Sequence, residues 1–380
     1  MPDNLVGGGL YLHLPFCPYL CPYCDFAKWR MNAGAATRYL AALRAEMRSA
    51  PPFTATTLYL GGGTPNTYAP HEIATLVEEA RAIFALRDDA EATIEMNPDR
   101  GLLAGFEQYR AAGLNRVSIG VQSFIASELR VLGRRHVPGD AGAAVRCARD
   151  AGFANVSLDL MFGVPHQTPQ TWRTSLETAL GLGAQHISTY GLTIEDGTPY
   201  ARWQAHDPRA FADSDAQAEL YAIAIDVLTS AGFEHYEISN FARPGFRCRH
   251  NANYWRNGDY LGVGVGATSY LSGERRTTTR DRAAYEAAAL KGGPIPAESE
   301  HLDGARQVGE AAMLALRTAE GVDFASFAER YNIAFEVMFS SVLSDLSLAG
   351  LVRMTPTHVA LTQRGRFLAN DVCGAFLMTG

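Results

Sequence analysis

The stretch Cys17-Pro18-Tyr19-Leu20-Cys21-Pro22-Tyr23-Cys24 decides how the rest of the sequence is interpreted. Three residues separate its first two cysteines and two separate the last pair, and all of these residues are apolar, aromatic or proline. The prolines after Cys17 and Cys21 fix the backbone φ angle and stiffen the loop. Thiolates are soft ligands that suit zinc or iron–sulfur clusters. The stretch therefore predicts a metal site with Cys17, Cys21 and Cys24 as ligands.

The number of thiolates distinguishes between the two kinds of metal site. A structural zinc ion usually takes four protein ligands, and Asp25-Phe26-Ala27-Lys28, which follows, holds no fourth cysteine or histidine. Three thiolates suit a [4Fe–4S] cluster in which one iron keeps an open position. A disulfide framework is disfavoured because three is an odd number and the chain is large. The other alternative is three buried apolar cysteines without a metal.

Composition describes an ordinary globular protein. Of the 380 residues, 47% are hydrophobic and 19% are charged, which supplies ample core. A formal net charge of −7 disfavours a nucleic-acid binder, which needs a basic face. No apolar run is long enough to span a membrane, and Met1–Gly9 lacks the features of a signal peptide. Because thiol ligands need reducing conditions, we expect a cytoplasmic protein, with peripheral membrane contact left open.

Short apolar runs alternate with longer amphipathic runs through residues 1–235, which predicts repeated β/α units. The predicted strands are Leu10–Phe16, Thr57–Leu60, Glu91–Met96, Arg116–Val121, Val156–Phe162 and His186–Ile194. The predicted helices are Ala36–Ala50, His71–Phe84, Leu102–Ala112, Ala141–Ala151, Gln170–Leu182 and Ser214–Ala231. Six repeats favour an α/β fold of the partial (β/α)6 barrel type over an open, doubly wound sheet.

Two further regions follow the predicted barrel. Residues 236–296 are rich in glycine and aromatic residues, which predicts loops ending in a linker at Lys291–Pro296. Residues 297–380 show three helical patterns, a β-hairpin and a last helix, the order of a winged-helix-like domain. Few basic residues lie near the hairpin. We therefore expect a substrate lid or a protein contact here rather than DNA binding.

Unusual residues fall at the carboxyl ends of the predicted strands, where the ligand sites of such barrels lie. The cysteines follow the first strand, and Gly61-Gly62-Gly63-Thr64-Pro65 follows the second. Glu95 and Gln122 end the third and fourth strands, and Asp159 lies in the fifth. Glycines let the backbone approach a ligand closely, although a tight turn would explain them as well. For each polar residue, a strand-end salt bridge is the alternative.

Together with Tyr11-Leu12-His13-Leu14-Pro15-Phe16, the cysteine spacing resembles the CxxxCxxC signature of the radical S-adenosylmethionine (SAM) superfamily. One group within this superfamily, the HemW proteins, is described as haem chaperones. Its HNxxYW sequence resembles the segment Cys248-Arg249-His250-Asn251-Ala252-Asn253-Tyr254-Trp255 of this chain. The resemblance covers essentially the whole chain. The flanking residues also resemble a relative of HemW, the oxygen-independent coproporphyrinogen III dehydrogenase HemN. In this superfamily SAM occupies the open iron, and an electron from the reduced cluster cleaves it.

The resemblance also implies roles for individual residues at the cofactor. The matching positions are Tyr11, Tyr23, Gly62, Gly63, Thr64, Glu95, Gln122, Arg134 and Asp159. The glycine motif would contact the SAM amino group, and the polar side chains would hold its carboxylate and ribose hydroxyls. An arginine fork suits a carboxylate, and acidic side chains accept from hydroxyl or ammonium donors. His13, which alternates onto the face of Tyr11, could equally be a hydrogen-bonded core histidine.

The HNxxYW sequence carries the expected haem chemistry. Histidine and cysteine are the usual axial haem ligands, and Tyr254 and Trp255 would supply flat apolar surface for the macrocycle. On an extended segment Cys248 and His250 would face the same side, so we expect only one of them to bind iron, His250 first. A hydrogen-bonded histidine beside core aromatic residues is the alternative.

Two departures from the HemN pattern distinguish between the relatives. HemN continues its signature with a fourth cysteine where this chain has Phe26, and the sequence before Cys17 leaves almost no room for the N-terminal extension of HemN. The resemblance therefore implies a haem chaperone with a [4Fe–4S] cluster and exchangeable SAM, delivering haem to acceptor haem proteins. The alternatives are a coproporphyrinogen dehydrogenase, which is an oxidative decarboxylase, and a radical SAM enzyme acting on another substrate.

Overall fold

The protein, described for residues 7–377 by a computed structural model, is built around six parallel strands. Residues 1–6, most of the segment expected not to be a signal peptide, lie outside the described range. The first eight strands are β1 (Gly7–Leu14), β2 (Phe16–Cys17), β3 (Trp29–Arg30), β4 (Thr54–Gly62), β5 (Glu91–Met96), β6 (Arg116–Gln122), β7 (Asn155–Phe162) and β8 (His186–Gly191). Strands β1, β4, β5, β6, β7 and β8 lie side by side in chain order and in parallel.

Helices connect these strands and cover one face of the sheet. They are α1 (Ala33–Ser49), α2 (Pro70–Ile83), α3 (Phe106–Ala111), α4 (Ala126–Val131), α5 (Pro138–Asp150), α6 (Pro169–Gly181), α7 (Pro199–His206) and α8 (Ser214–Ser230). Four begin with proline, whose fixed φ suits the first turn and whose missing N–H would have no partner there. In α1, Leu40, Leu43 and Met47 are buried in the same hydrophobic core as Leu58 and Leu60 of β4.

The predicted partial (β/α)6 barrel is confirmed, with β5 found at its predicted bounds. Two short helices, α4 and α7, were not predicted. They have only six and eight residues, too few to show a helical repeat of apolar residues.

The extension is more regular than the predicted loops. It contains β9 (Glu234–His235), β10 (Asn240–Ala242), α9 (Arg249–Trp255), β11 (Tyr260–Val263), β12 (Thr268–Leu271), β13 (Glu274–Thr278), α10 (Arg282–Lys291) and β14 (Ala297–His301). These strands extend both edges of the main sheet to twelve strands among the described residues. Glycine at position 262 allows β11 and β12 to lie close together, because a Cβ on Gly262 would lie 2.2 Å from the Thr268 carbonyl oxygen.

The expected linker Lys291–Pro296 is the turn between α10 and β14 of this same sheet. Gly292 ends α10 in the left-handed conformation, a common way to terminate a helix. Strand β14 pairs with β13, so residues 297–301 continue the main sheet.

The C-terminal unit has the predicted winged-helix-like order and its own core. Its elements are α11 (Gly304–Leu316), β15 (Val322–Asp323), α12 (Phe324–Tyr331), α13 (Phe335–Met338), α14 (Ser340–Leu348), β16 (Val352–Met354), β17 (His358–Leu361), α15 (Gln363–Phe367) and α16 (Ala369–Gly374). Phe324, Phe335 and Phe376 pack together at its centre. Within residues 7–377, no helix is long and apolar enough to cross a membrane.

Candidate functional site

The cysteine loop is held at its base by backbone hydrogen bonds. Strands β2 and β3 pair across the two ends of the loop, and the Met31 N–H donates to the Cys17 carbonyl oxygen at 2.7 Å. Cys17, Cys21 and Cys24 are all free and line one cavity of about 550 Å³. Burial raises the pKa of Cys17 to about 11, so a bound cation would be needed to favour its thiolate.

The three thiols share this cavity with a largely buried arginine. Among residues 7–377, no three histidine, cysteine or acidic side chains converge as they would around one metal ion. The three thiols instead lie on a wall shared with Arg134, whose Nη1 is 3.9 Å from Cys21 Sγ. The Arg134 Nε is buried without a hydrogen-bond partner in the described part of the chain. A buried donor of this kind indicates room for an acceptor from a bound group.

The glycine motif after β4 packs tightly against the first strand. A Cβ on Gly63 would lie 2.6 Å from the Leu14 carbonyl oxygen. The N–H groups of Gly62, Gly63 and Thr64 already donate to Glu95, Leu14 and Phe16. The motif therefore has a packing role, and what it can offer a ligand is backbone carbonyl oxygen, an acceptor suited to an ammonium group.

Two buried carboxylates, on β5 and β7, line the same cavity. Glu95 accepts from the Tyr59 hydroxyl at 2.7 Å and the Gly62 N–H at 3.2 Å, and burial raises its pKa to about 7. Asp159 accepts from the Ser118 hydroxyl at 3.0 Å, and burial raises its pKa as well. Because burial penalises both charges, a cationic or hydroxyl-bearing ligand would stabilise their ionised forms.

Arg134 and Gln122 complete the polar wall of the cavity. Arg134 Nη2 donates to Asn97 Oδ1 at 2.7 Å and to the Gly120 carbonyl oxygen, which aims the guanidinium into the site. Gln122 has a φ of 66° and lies at an irregularity in the pairing of β6 with β7. A left-handed conformation is costly for a residue other than glycine, and such strain clusters at functional sites.

A second cavity of about 650 Å³ adjoins the first; we call it the aromatic cavity because five tyrosines and one phenylalanine are among the residues that line it. Tyr59, Glu95 and Tyr190 line both cavities. Tyr11 lies in this second cavity, where its hydroxyl is 3.0 Å from His13 Nδ1. The other His13 nitrogen is 2.8 Å from the Ala27 carbonyl oxygen, so His13 is the hydrogen-bonded core histidine that the sequence left open.

The structure thus divides the predicted residues between two cavities. Those in the first are Cys17, Cys21, Tyr23, Cys24, Gly62, Gly63, Thr64, Glu95, Gln122, Arg134 and Asp159. Tyr11 and His250 lie in the second, together with Gly62 and Glu95. Sequence reasoning missed Tyr59, Tyr190 and Asn97. The two-residue repeat of β-strands could have found Tyr59, because it faces the same side as the glycine motif.

The HNxxYW sequence forms helix α9 instead of the extended segment that we expected. The Arg249 and His250 N–H groups donate to the carboxylate of Glu91, at the start of β5. His250 Nδ1 lies 2.8 Å from the Thr57 hydroxyl and Nε2 lies 2.8 Å from the Tyr254 hydroxyl. Burial lowers its pKa to about 3. Since both ring nitrogens are engaged, His250 could bind iron only by releasing one of these partners.

The helical conformation also separates Tyr254 from Trp255. Tyr254 lies beside His250 in the aromatic cavity, whereas Trp255 faces the C-terminal unit under the guanidinium of Arg317. The expected single flat surface is therefore wrong, because successive helical residues point about 100° apart. Cys248 is fully buried, and its thiol donates to Glu91 at 3.4 Å, so Cys248 and His250 do not face one common side.

Comparison with known proteins identifies relatives along the whole chain. The radical SAM superfamily matches residues 11–179, and the HemN C-terminal domain matches residues 302–368. The chain is 36% identical over 373 residues to the haem chaperone HemW of Bacillus subtilis, covering 97% of this chain and 98% of that protein. It is 37% identical over 379 residues to HemW of Mycobacterium tuberculosis, covering 97% and 94%. The structure of coproporphyrinogen III oxidase (HemN) from Escherichia coli, a radical SAM enzyme, matches with 25% identity and a TM-score of 0.86, covering 98% of this chain and 90% of that one.

The raised pKa of Glu95 predicts a pH effect on stability. Between its ordinary value and about 7, the folded state holds a proton that the unfolded chain has released, so stability falls as pH rises through this range. We expect Glu95→Gln to lose less thermal stability than the wild type between about pH 5 and about pH 8. The exposed Glu78→Gln is the control, and equal losses in all three proteins would contradict the assignment.

Proposed function

The chain belongs to the HemW family of the radical SAM superfamily, and we propose that it binds haem and delivers it to acceptor haem proteins. The observation that carries this proposal is the similarity to curated haem chaperones over 97% of the chain. It includes the C-terminal unit and helix α9, so it is not limited to the cofactor-binding barrel.

We propose that Cys17, Cys21 and Cys24 hold a [4Fe–4S] cluster with SAM beside it. When bound, this pair supplies one-electron chemistry. Arg134 is placed to donate to a carboxylate, while Glu95 and Asp159 can accept from ammonium or hydroxyl groups. Thiolates that must stay reduced support a cytoplasmic location.

We propose that haem enters the aromatic cavity. Its walls include the rings of Tyr59, Tyr254 and Tyr260, which offer the flat apolar surface that a porphyrin needs. Arg280 lies at the cavity and could pair with a propionate. His250 is the proposed iron ligand, at the cost of its hydrogen bond to Tyr254. This cavity adjoins the cluster cavity, so haem and SAM would be close neighbours.

The second candidate function is oxidative decarboxylation of a porphyrinogen. The structural match to HemN over 98% of the chain favours it, since that enzyme shares the whole arrangement of domains. The fourth cysteine of the HemN pattern is absent here, and its position is taken by Phe26, which is 66% exposed next to the cluster loop. A coproporphyrinogen turnover assay tests this alternative beside haem binding.

The cluster can be tested by counting iron. Because three thiolates leave an iron open, anaerobic reconstitution should give about four irons per chain. Cys21→Ala should abolish incorporation, while Cys147→Ala, a cysteine of α5 outside the site, should not change it. Zinc in place of iron, or iron retained after all three ligand cysteines are replaced, would refute the assignment.

Binding of SAM can be measured by calorimetry on the reconstituted protein. Arg134→Ala and Asp159→Ala should each weaken binding by about 1–3 kcal/mol, because each leaves a buried polar partner unpaired. Arg130→Ala, which removes an exposed arginine of α4, is the control. Unchanged affinity in both variants would make Arg134 and Asp159 structural residues.

Haem ligation can be tested by titration and absorbance. His250→Ala should weaken haem binding and shift the Soret band without loss of the cluster, because the cysteines lie on another element. Tyr254→Phe frees Nε2 of His250 and should therefore preserve the Soret position. His71→Ala, an exposed histidine of α2, is the control. If His250→Ala and Cys248→Ala both bind haem like the wild type, helix α9 does not supply the iron ligand.

A further inference from the structure

A third cavity, of about 480 Å³, lies between the extension and the C-terminal unit. One wall is the face of α9 that carries Cys248 and Trp255, opposite to the His250 face. The other wall is formed by α11 and α12. Backbone hydrogen bonds hold the two walls together, from Ile238 N–H to Arg317 and from Ala319 N–H to Tyr236. We call this space the interdomain cavity.

The interdomain cavity is rich in positive charge although the protein is acidic overall. Four arginines line it, against two acidic residues, and the full chain carries a formal net charge of −7. Both acids are already engaged: Glu320 pairs with Arg247, and Asp323 accepts from the Ser326 N–H at 2.7 Å.

Three of the four arginines take part in no ion pair within the described range. Within residues 7–377, Arg249, Arg256 and Arg330 make no salt bridge with a carboxylate. Arg249 and Arg330 donate to uncharged backbone carbonyl oxygens. The carboxylates of Asp89 and Glu320 lie near Arg249 and Arg256, so the cavity keeps an excess of positive charge that is only partly balanced. A cavity with this surplus attracts anions.

The uncharged part of the lining suits a flat aromatic body. Trp255, Phe327 and Tyr331 supply rings, while Ala311 and Ala315 of α11 keep the space between them open. The indole N–H of Trp255 is buried and has no hydrogen-bond partner in the described part of the chain. Buried donors are normally satisfied, so this N–H indicates a missing acceptor.

We propose that the interdomain cavity is a binding site for a planar aromatic ligand that carries carboxylate or phosphate groups. Arg256 pairs with the anionic group, the rings contact the flat body, and the indole N–H of Trp255 donates to a polar atom of the ligand. A dicarboxylate porphyrin and an adenine nucleotide both have this chemistry. The site is distinct from the aromatic cavity, because α9 stands between them.

Calorimetric titration of the full chain with two probes tests the site. Iron-free protoporphyrin IX cannot be held through an iron ligand, and ADP has no porphyrin ring, so the pair distinguishes the two sources. Arg256→Gln should weaken binding of at least one probe about tenfold, the effect of losing one charge-assisted hydrogen bond. Trp255→Phe removes the N–H but keeps a ring and should weaken the same probe about threefold.

Arg209→Gln, which removes an exposed arginine remote from the cavity, is the matched control and should bind like the wild type. Thermal melting checks that each variant is folded. If neither probe binds, or if bound probe is insensitive to Arg256→Gln and Trp255→Phe, the site is refuted. This outcome is separate from the proposed haem function, because iron ligation in the aromatic cavity is read from the Soret shift of His250→Ala, which neither iron-free probe reports.

Discussion

The buried carboxylate of Glu91 joins the two parts of the functional region. It stands at the amino end of β5, and it accepts the first free N–H groups of α9 and the thiol of Cys248. Such a capping interaction satisfies helix donors that would otherwise be buried without partners. It fixes α9 against the interior of the sheet. Everything on that helix, from His250 on one face to Trp255 on the other, is positioned by this contact.

From α9 a continuous set of contacts leads to the cofactor cavity. The His250 ring stacks on Tyr59 at 5.0 Å, the Tyr59 hydroxyl donates to Glu95, and Glu95 accepts from Gly62 of the glycine motif. These residues form the wall between the two adjoining cavities. Because the wall is buried and hydrogen-bonded throughout, a ligand on one side contacts the same side chains as a ligand on the other. Because the proposed haem and SAM sites share this wall, no long-range change is needed to connect them.

The position of the C-terminal unit gives α9 a second role. The backbone of this unit pairs with the extension near Tyr236 and Thr318, so the unit lies against the Trp255 face of α9. A cavity lined by charged side chains lies inside this contact.

Local sequence determined the barrel strands, the cysteine loop and the order of the C-terminal elements, because these depend on short-range periodicity and spacing. It placed Glu95, Gln122 and Asp159 on the carboxyl side of the sheet because parallel strands end at the same edge, whereas Arg134 came only from the family resemblance. It did not determine the conformation of residues 248–255: a cap supplied by Glu91, far away in the chain, makes them a helix. Hydrogen bonds to Thr57 and Tyr254, and the separation of Tyr254 from Trp255, follow from that helix. These features depend on contacts between distant residues, so only the tertiary structure decided them.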